Sequence, residues 1–331
     1  MTRWIAAHAP TLTGTPAFTR IGLGQSNLTY LVSDDAGHRW VLRRPPLGHL
    51  LASAHDVVRE ARIMSALAGT DVPVPAILAV TTDTAVCEAP AVLMEFVDGQ
   101  VVDTMDIVGA MAPQRRRAIA ESLIATLARI HAVDLDAVGL ADLASHKPYA
   151  QRQLNRWSRQ WEQSKTRDLP ELDELTRRLT DAVPPQRETT LVHGDFHLRN
   201  VITSRETGAV VAALDWELST LGDPLADMGS LLAYWVEPGE DIGGDFPASA
   251  LPGFPDRAQM ADAYLEATGR DRDALTFWHV LGLWKLAIIA EGVMRRAADT
   301  PGNKAAAGTP TVERIDAIVA EARDIATAAG L

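Results

Sequence analysis

The alternation of apolar and polar positions along the chain predicts a strand-rich first part and a helical remainder. Five β-prone runs fall within the first hundred residues and are separated by Gly, Asp and Pro turns: residues 18–23, 28–34, 38–45, 72–80 and 89–97. Between the third and fourth runs, residues 53–67 show helical spacing, with Ser53 as the candidate N-cap. The predicted order β-β-β-α-β-β ends near Val97.

Helical periodicity dominates from about residue 105 onward. Four long helices are predicted, the last apolar enough to be central in a bundle: residues 115–133, 149–164, 171–182 and 277–296. Two short strands, residues 191–196 and 210–216, each lead into a polar loop. The tract 299–311 predicts a mobile loop before a final helix.

Length and charge narrow the class of protein. The 331 residues exceed what one core usually needs, so we expect a first subdomain over 1–97 and a second over 98–331. The net charge is −12, and its acidic excess lies almost entirely in the second, which argues against non-specific nucleic-acid binding.

Sequence features also bear on location and redox chemistry. No apolar run reaches the roughly 18–20 residues of a membrane span, and the N-terminus lacks the apolar core of a signal peptide. The single Cys87 excludes an internal disulfide framework and a Cys-based zinc site. We therefore expect a cytoplasmic protein without membrane partners.

The segment LVHGDFHLRNVI, residues 191–202, encloses a polar centre between apolar pairs. His193, Asp195 and Asn200 have the spacing H-x-D-x-x-x-x-N, which is typical of a phosphoryl-transfer loop. In that template Asp195 accepts the proton of the attacking hydroxyl, and Asn200 presents its amide oxygen to a magnesium ion. The alternative is an ordinary turn in which none of these residues is chemical.

A second metal ligand is expected on a strand downstream. The apolar run 210–214 ends in Asp215, 20 residues after Asp195, and a carboxylate suits magnesium because that ion prefers hard oxygen donors. The combined spacing is more specific than the HGD triplet alone. His193 is expected to hold the loop through backbone hydrogen bonds, while His197 and Arg199 receive no chemical role.

The first subdomain offers a possible nucleotide clamp. A turn between the first two strands contains Gly22, Gly24, Ser26 and Asn27, whose backbone amides and side chains could approach phosphates. An ordinary hairpin turn explains these residues equally well. The segment 92–97 would be the hinge between lobes.

Arg43, on the third strand, is the candidate cation for the phosphates. No lysine precedes Lys147, so an arginine must fill the role, with Glu60 on the following helix as its partner. A surface ion pair is the alternative. In the hinge, the backbone near Glu95 and Val97 would meet the adenine edge, and Met94 fits either a gatekeeper or a core position.

Three segments together resemble the aminoglycoside phosphotransferase superfamily, of protein-kinase-like fold: LVHGDFHLRNVI, AALDWELSTLGDPLADMG and GLGQSNLTYLV. Within it the chain is similar to the kinase-like domains fused to some acyl-CoA dehydrogenases and to their free-standing bacterial relatives. The resemblance covers residues 18–296. It implies an α+β, bilobal fold, with a small antiparallel β-sheet N-lobe carrying one helix and a larger, mostly helical C-lobe. ATP, or alternatively GTP, and Mg²⁺ are the implied cofactors.

The resemblance also implies residue roles. Asp195 would be the catalytic base, with Asn200 and Asp215 as magnesium ligands. Asp223 and Asp227 would brace the active-site loops, although helix capping and a buried structural carboxylate are the preferred readings. The missing lysine leaves the choice of ATP over GTP open. No A-P-E motif follows Asp215, which argues against a protein kinase.

The phosphoryl acceptor should lie among the C-lobe helices beside Asp195. The chain has eight Trp against six Phe, and most of these Trp residues are expected in the core. Several aromatic residues could instead form walls for a bulky acceptor: Trp157, Trp161, Tyr234, Trp235, Trp278 and Trp284. Glu217 is a further candidate for binding the acceptor.

A basic stretch, residues 147–167, departs from the acidic background. Arg152, Arg156 and Arg159 share a helical face there, with only Glu162 opposing them. The stretch is either a solvated face or a landing site for an anionic acceptor, such as a hydroxyl-bearing coenzyme A thioester. An ATP- and Mg²⁺-dependent kinase of a small-molecule hydroxyl is the favoured function. The alternatives are an aminoglycoside or macrolide phosphotransferase and a nucleotide-binding pseudokinase that regulates a partner.

Overall fold

Five short strands near the N-terminus form one antiparallel sheet. The structure is a computed structural model that describes residues 1–22, 27–46, 56–145, 147–299 and 308–331. Numbered along the chain, the strands lie side by side in the order first, second, third, fifth and fourth. The strands and the two helices of this part are α1 (Thr2–His8), β1 (Ala17–Ile21), β2 (Leu28–Ser33), β3 (Arg39–Arg44), α2 (Val57–Leu67), β4 (Ile77–Thr81) and β5 (Ala91–Glu95). The five strands and α2 confirm the predicted order, whereas α1 was not predicted.

Strand alternation divides the side chains of this sheet between two faces. Trp40 and Leu42 of β3 pack with Ile5 of α1 on one face. Val41 and Arg43 point to the other face, toward α2, because successive strand residues alternate. The alternation that places Trp40 and Leu42 in the core on one face therefore places Arg43 on the other face, next to Glu60 of α2.

The start of α2 differs from the prediction. Asp56 is the N-cap, and its carboxylate accepts a hydrogen bond from the Arg59 backbone N–H at 2.9 Å. Ser53, the predicted cap, lies outside the described residues. Asp and Ser are both good caps, so sequence preference alone did not distinguish them.

The remainder of the chain is mostly helical and confirms the predicted α+β architecture. The predicted helix over 149–164 has the observed bounds, and the others differ by a few residues. The elements are β6 (Gln100–Val101), α3 (Met105–Gly109), α4 (Pro113–His131), α5 (Tyr149–Ser164), α6 (Pro170–Asp181), β7 (Thr190–Val192), β8 (Val201–Thr203), β9 (Val210–Ala213), β10 (Thr220–Gly222), α7 (Leu225–Tyr234), α8 (Arg257–Thr268), α9 (Arg272–Asp299) and α10 (Val312–Ala328).

Two small sheets hold the polar loops at the junction of the two parts. Strand β7 pairs with β10, and β8 lies between β6 and β9, all antiparallel. The segments that follow β7 and β9 meet where His193 Nε2 lies 2.9 Å from the Leu214 carbonyl oxygen. The division into domains at residue 97, which falls between β5 and β6, stays a prediction.

Helices α7 and α9 cross at two glycines. A Cβ at Gly229 would lie 2.3 Å from the backbone of Trp278, and one at Gly282 would lie 2.7 Å from the Gly229 carbonyl oxygen. The backbones therefore touch, which no larger residue would allow. Among the described residues, α9 alone is long and apolar enough to pass a composition test for a membrane span, but 78% of its most apolar window is buried in the fold.

Most of the predicted mobile tract 299–311 lies outside the described residues.

Candidate active site

The turn His193–Gly194–Asp195, here named the HGD turn, leaves strand β7 with its backbone held by a buried carboxylate. Asp227 accepts hydrogen bonds from the backbone N–H of His193 at 2.6 Å and of Gly194 at 2.8 Å. Gly194 has φ +85°, and a Cβ there would lie 2.7 Å from the Leu218 carbonyl oxygen. Only glycine fits this position, because both the conformation and the space exclude a side chain.

Buried polar contacts also hold Asp227, the carboxylate that supports the HGD turn. His131, on α4, lies 3.2 Å from Asp227 Oδ2 through Nε2 and 2.7 Å from the Tyr264 hydroxyl through Nδ1. Burial acts to raise the pKa of Asp227, but hydrogen bonds from His131 and from the turn lower it overall. His193 is itself fully buried, with Nε2 2.9 Å from the Leu214 carbonyl oxygen.

Asp223 occupies a different position from Asp227. Its Oδ1 accepts a hydrogen bond from the Leu225 backbone N–H at 3.0 Å, at the start of α7. Burial raises the pKa of Asp223 to about 6, against the lowering effect of that hydrogen bond. Asp223 thus stabilises the beginning of the helix, whereas Asp227 contacts the HGD turn directly.

Asp195 faces the cleft within a group of polar side chains. Its Oδ2 accepts a hydrogen bond from Asn200 Nδ2 at 3.0 Å and lies 3.4 Å from His197 Nε2. The Tyr234 ring packs on His197 with centroids 4.6 Å apart. Burial acts to raise the pKa of Asp195, but His197 and Lys285 hold it well below its usual range.

Asn200 and Asp215 are brought together by the pairing of β8 with β9. Val201 pairs with Ala213, and the Leu214 backbone N–H donates to the Asn200 carbonyl oxygen at 2.8 Å. Asp215 follows immediately, in a left-handed conformation with φ +65°. The predicted ligand pair therefore lies at the end of one two-strand ladder.

These two side chains fit a magnesium ion as donors. Asn200 Nδ2 donates to Asp195, so the amide oxygen Oδ1 is left for a cation. No group of three or more His, Cys, Asp or Glu that could hold a metal occurs in the described ranges. A magnesium ion here would take the remaining oxygens from nucleotide phosphates and water, which is its usual mode of binding.

Arg43 joins the N-terminal sheet to Asp215. Its Nε donates to Glu60 Oε2 at 2.9 Å, and its Nη2 donates to Asp215 Oδ1 at 2.7 Å. Glu60 also accepts from the Trp216 backbone N–H at 3.2 Å. Burial raises the pKa of Glu60 to about 7, against the lowering effect of Arg43. The predicted Arg43–Glu60 contact is therefore present, and the contact with Asp215 was not foreseen.

The other predicted nucleotide-binding residues are placed as follows. Gly22 has φ +76°, and Asn27 is buried with Nδ2 3.5 Å from Glu217 Oε2. Gly24 and Ser26 lie outside the described residues. At the end of β5, Glu95 is exposed and Val97 half-buried, while Met94 is buried within the main core.

A cavity of about 290 Å³ opens beside the HGD turn and is strongly cationic. Its wall includes Gly194. The charged or aromatic residues of its lining, which define the cationic cavity, are Arg59, Tyr149, Arg152, Arg156, Trp157, Glu217 and Lys285. Four cations thus face one carboxylate. Lys285 Nζ donates to the Gly194 carbonyl oxygen at 3.1 Å and lies 5.4 Å from the Trp157 ring centroid.

Sequence reasoning found Arg152, Arg156 and Trp157 but missed Arg59 and Lys285. A signal was available for Lys285, since it is the only lysine in the apolar stretch 277–296, and a buried lysine is rare unless it has a partner. Nothing in the sequence distinguished Arg59, whose place depends on how α2 meets the segment after Asp215.

A second cavity, of about 200 Å³, lies on the other side of the same loop and is mostly apolar. Trp235 lines it, yet is 1% exposed and donates through Nε1 to the Pro255 carbonyl oxygen. Trp161 reaches neither this nor the cationic cavity, because it is buried and donates to Asp173 of α6 at 3.1 Å. Trp278 and Trp284 are also core residues.

The chain is similar to known proteins over most of its length. The family model described as the phosphotransferase enzyme family matches residues 17–278. The chain belongs to this family. Acyl-CoA dehydrogenase family member 10 of Mus musculus is 37% identical over 299 residues, which cover 89% of this chain and 28% of the relative. Member 11 of Rattus norvegicus is 33% identical over 283 residues, covering 84% and 36%.

The chain therefore spans only about a third of the length of these relatives. A crystal structure from Ralstonia eutropha, provisionally assigned as an aminoglycoside phosphotransferase, is 32% identical with a TM-score of 0.77, covering 99% of this chain and 95% of that one. The phosphotransferase APH(4)-Ia, in a complex with AMP-PNP and hygromycin B, is 16% identical, with coverage of 96% and 97% and a TM-score of 0.60. At that identity the likeness shows the fold alone. The predicted kinase-like fold and family resemblance are confirmed.

Proposed function

We propose that the chain is an ATP- and Mg²⁺-dependent O-phosphotransferase that acts on a hydroxyl of a small anionic acceptor. A hydroxyacyl thioester of coenzyme A is the candidate class. The observation that carries this proposal is the cationic cavity beside the HGD turn, since Gly194 of the turn forms part of its wall. GTP stays an alternative donor because Arg43 replaces the expected lysine.

Asp195 is proposed to act as the base. Its low pKa keeps it ionised, so it can accept a hydrogen bond and then the proton of the acceptor hydroxyl. The hydroxyl oxygen forms a bond to the γ-phosphorus, the bond between that phosphorus and the β–γ bridging oxygen breaks, and ADP departs with the electron pair. Asn200 orients the carboxylate through a hydrogen bond from Nδ2 to Asp195 Oδ2 at 3.0 Å.

The remaining residues are proposed to position the nucleotide. Asn200 Oδ1 and the Asp215 carboxylate would hold Mg²⁺, which when bound neutralises charge on the phosphates. Arg43 supplies a permanent positive charge next to Asp215, at 2.7 Å, and is itself fixed by Glu60. Gly22 and Asn27 flank the turn that would cover the phosphates.

The charge of the cavity favours an anionic acceptor over an antibiotic. Arg156 has no ion pair within the part of the chain that the structure describes, and the same is true of Arg152 and Lys285. A polycationic aminoglycoside would be repelled by these groups, whereas the phosphates of coenzyme A would be attracted. The names of the two curated relatives, both acyl-CoA dehydrogenase family members, support a thioester.

Turnover with matched acceptors tests this function. We expect ADP release and phosphate transfer with 3- or 4-hydroxyacyl-CoA, and none with kanamycin or erythromycin. Asp195→Asn should lower kcat by about 10²–10⁴-fold, which is the usual share of a general base, without altering the thermal unfolding midpoint. Strong kanamycin turnover without acyl-CoA turnover would overturn the acceptor class.

A pseudokinase is the second candidate, and one contact favours it. The Arg43–Asp215 ion pair occupies a proposed magnesium ligand and could keep the protein inactive. In that case wild type and Asp195→Asn would hydrolyse ATP equally slowly, and Mg²⁺ would not change the rate.

A further inference from the structure

Arg59 and Glu60 are neighbours on α2 but serve different regions. Consecutive helical side chains diverge by about 100°. Glu60 points inward to Arg43 and to the Trp216 backbone N–H. Arg59 instead reaches across to the segment after Asp215, where its Nη2 donates to the Ser219 carbonyl oxygen at 2.5 Å.

The Arg59 guanidinium is a half-buried cation. Burial lowers its pKa, and among the described residues no acidic side chain lies within ion-pair distance of it. A guanidinium has five N–H donors, and the Ser219 carbonyl uses one of them. Removing part of such a charge from water costs free energy, which a bound anion would offset.

Three further cations of the cationic cavity come from C-lobe helices. Arg152 and Arg156 lie on α5, and Lys285 lies on α9. Arg152 and Lys285 each donate to a backbone carbonyl, of Leu221 and Gly194 respectively. Backbone carbonyls hold these cations without neutralising them. An anionic group in the cavity would therefore contact α2 on one side and the C-lobe helices on the other.

The position of α2 also sets the nucleotide side of the cleft. Glu60 on α2 fixes Arg43, which contacts Asp215, so a displacement of α2 would disturb the Glu60–Arg43 contact. An anion that pulls Arg59 toward Arg152, Arg156 and Lys285 would hold α2 where Glu60 meets Arg43. Ligands at the two sites then favour the same arrangement of the lobes, which is the requirement for coupling.

We infer that Arg59 lets the anionic acceptor bridge the two lobes, so that acceptor and nucleotide bind with positive cooperativity. The inference rests on the proposed function, because it assigns Arg59 to the same acceptor site. Arg59 is here a binding and positioning residue, not a group that touches the transferred phosphoryl.

Calorimetry with ligands that cannot react tests the coupling. The probes are Mg·AMP-PNP and butyryl-CoA, which has no hydroxyl to phosphorylate. In the wild type, saturating butyryl-CoA should lower the Kd of Mg·AMP-PNP about fivefold or more, with the same factor in the reverse titration because linkage is reciprocal. Arg59→Gln should bind Mg·AMP-PNP alone as the wild type does and lose the coupling factor.

Two matched variants separate the possible outcomes. Arg62→Gln removes an ion pair from the same helix to Asp142, which also joins the two lobes but lies outside the cavity, and should keep the coupling. Arg156→Gln should weaken butyryl-CoA binding and keep the coupling.

Three results would overturn the inference. If butyryl-CoA binds the wild type without coupling, the inference is wrong and the proposed function stands. If Arg62→Gln loses coupling as Arg59→Gln does, lobe loosening explains both and the inference is wrong. If butyryl-CoA does not bind at all, the anionic acceptor of the proposed function fails, and this inference with it.

Discussion

Two charged regions flank the HGD turn, and they differ in how their charges are neutralised. On the nucleotide side, Arg43 is paired with both Glu60 and Asp215 at 2.9 and 2.7 Å. On the acceptor side, Arg152, Arg156 and Lys285 have no carboxylate within ion-pair distance among the described residues. Paired charges keep their geometry without a ligand, whereas unpaired cations gathered at one cavity, with Arg152 and Lys285 half-buried, support the proposal that an external anion binds there.

Removing the paired arginine should give the largest effect on stability. Arg43→Met leaves Glu60 buried, 3% exposed, without its cation. We expect a loss of about 3 kcal/mol in the free energy of unfolding, at the low end of the range for a broken buried pair, because Glu60 can take up a proton. Urea denaturation at pH 8 measures it. Arg117→Met breaks an exposed pair and should cost less than about 0.5 kcal/mol; equal costs would contradict the distinction.

Asp223 tests the opposite case, a buried carboxylate with no ion pair among the residues that the structure describes. Its folded-state pKa of about 6 exceeds the unfolded value of 3.8, so the folded protein binds the extra proton between these pH values. The free energy of unfolding should therefore fall as pH rises from 4 to 6, by about 3 kcal/mol at most from this group. Asp223→Asn should flatten that segment of the profile. An unchanged slope would show that Asp223 is solvated.

The smallest stability effect is expected on the acceptor side. Arg156 is exposed and makes no ion pair within the described ranges, so Arg156→Gln should change the free energy of unfolding by less than about 0.5 kcal/mol. Its KM for a hydroxyacyl-CoA should rise several-fold while the KM for ATP stays constant. A lower acceptor KM, or a loss of stability, would mean that Arg156 serves the fold.

Local patterns of apolar and polar residues were sufficient to predict most of the fold. The five strands follow from period-2 alternation and their turns, and α5 follows from the clean amphipathic spacing of residues 149–164. Asp195, Asn200 and Asp215 could be grouped because their spacing matches a phosphoryl-transfer loop followed by an apolar strand, and the pairing of β8 with β9 brings Asn200 next to Asp215. Helix α1 was missed because a seven-residue segment holds too few turns to show its period.

Contacts between distant elements could not be predicted in the same way. Arg59 and Lys285 are separated by more than two hundred residues and meet one cavity only because α2 and α9 converge on the HGD turn. Trp161 was grouped with Trp157 because four residues place both on one helical face. That face extends from the cationic cavity to α6. Trp161 lies at the end that α6 covers, where it contacts Asp173.

The crossing of α7 and α9 at two glycines makes the position of the HGD turn depend on helix packing away from the proposed ligand sites. Asp227 on α7 accepts a hydrogen bond from the Gly194 N–H, and Lys285 on α9 donates one to the Gly194 carbonyl oxygen. The HGD turn is therefore hydrogen-bonded to two helices. The distance between those helices is set at Gly229 and Gly282. A random mutagenesis screen for lost turnover should therefore return substitutions at both glycines, although neither touches a substrate, and directed evolution of new acceptors should leave them unchanged.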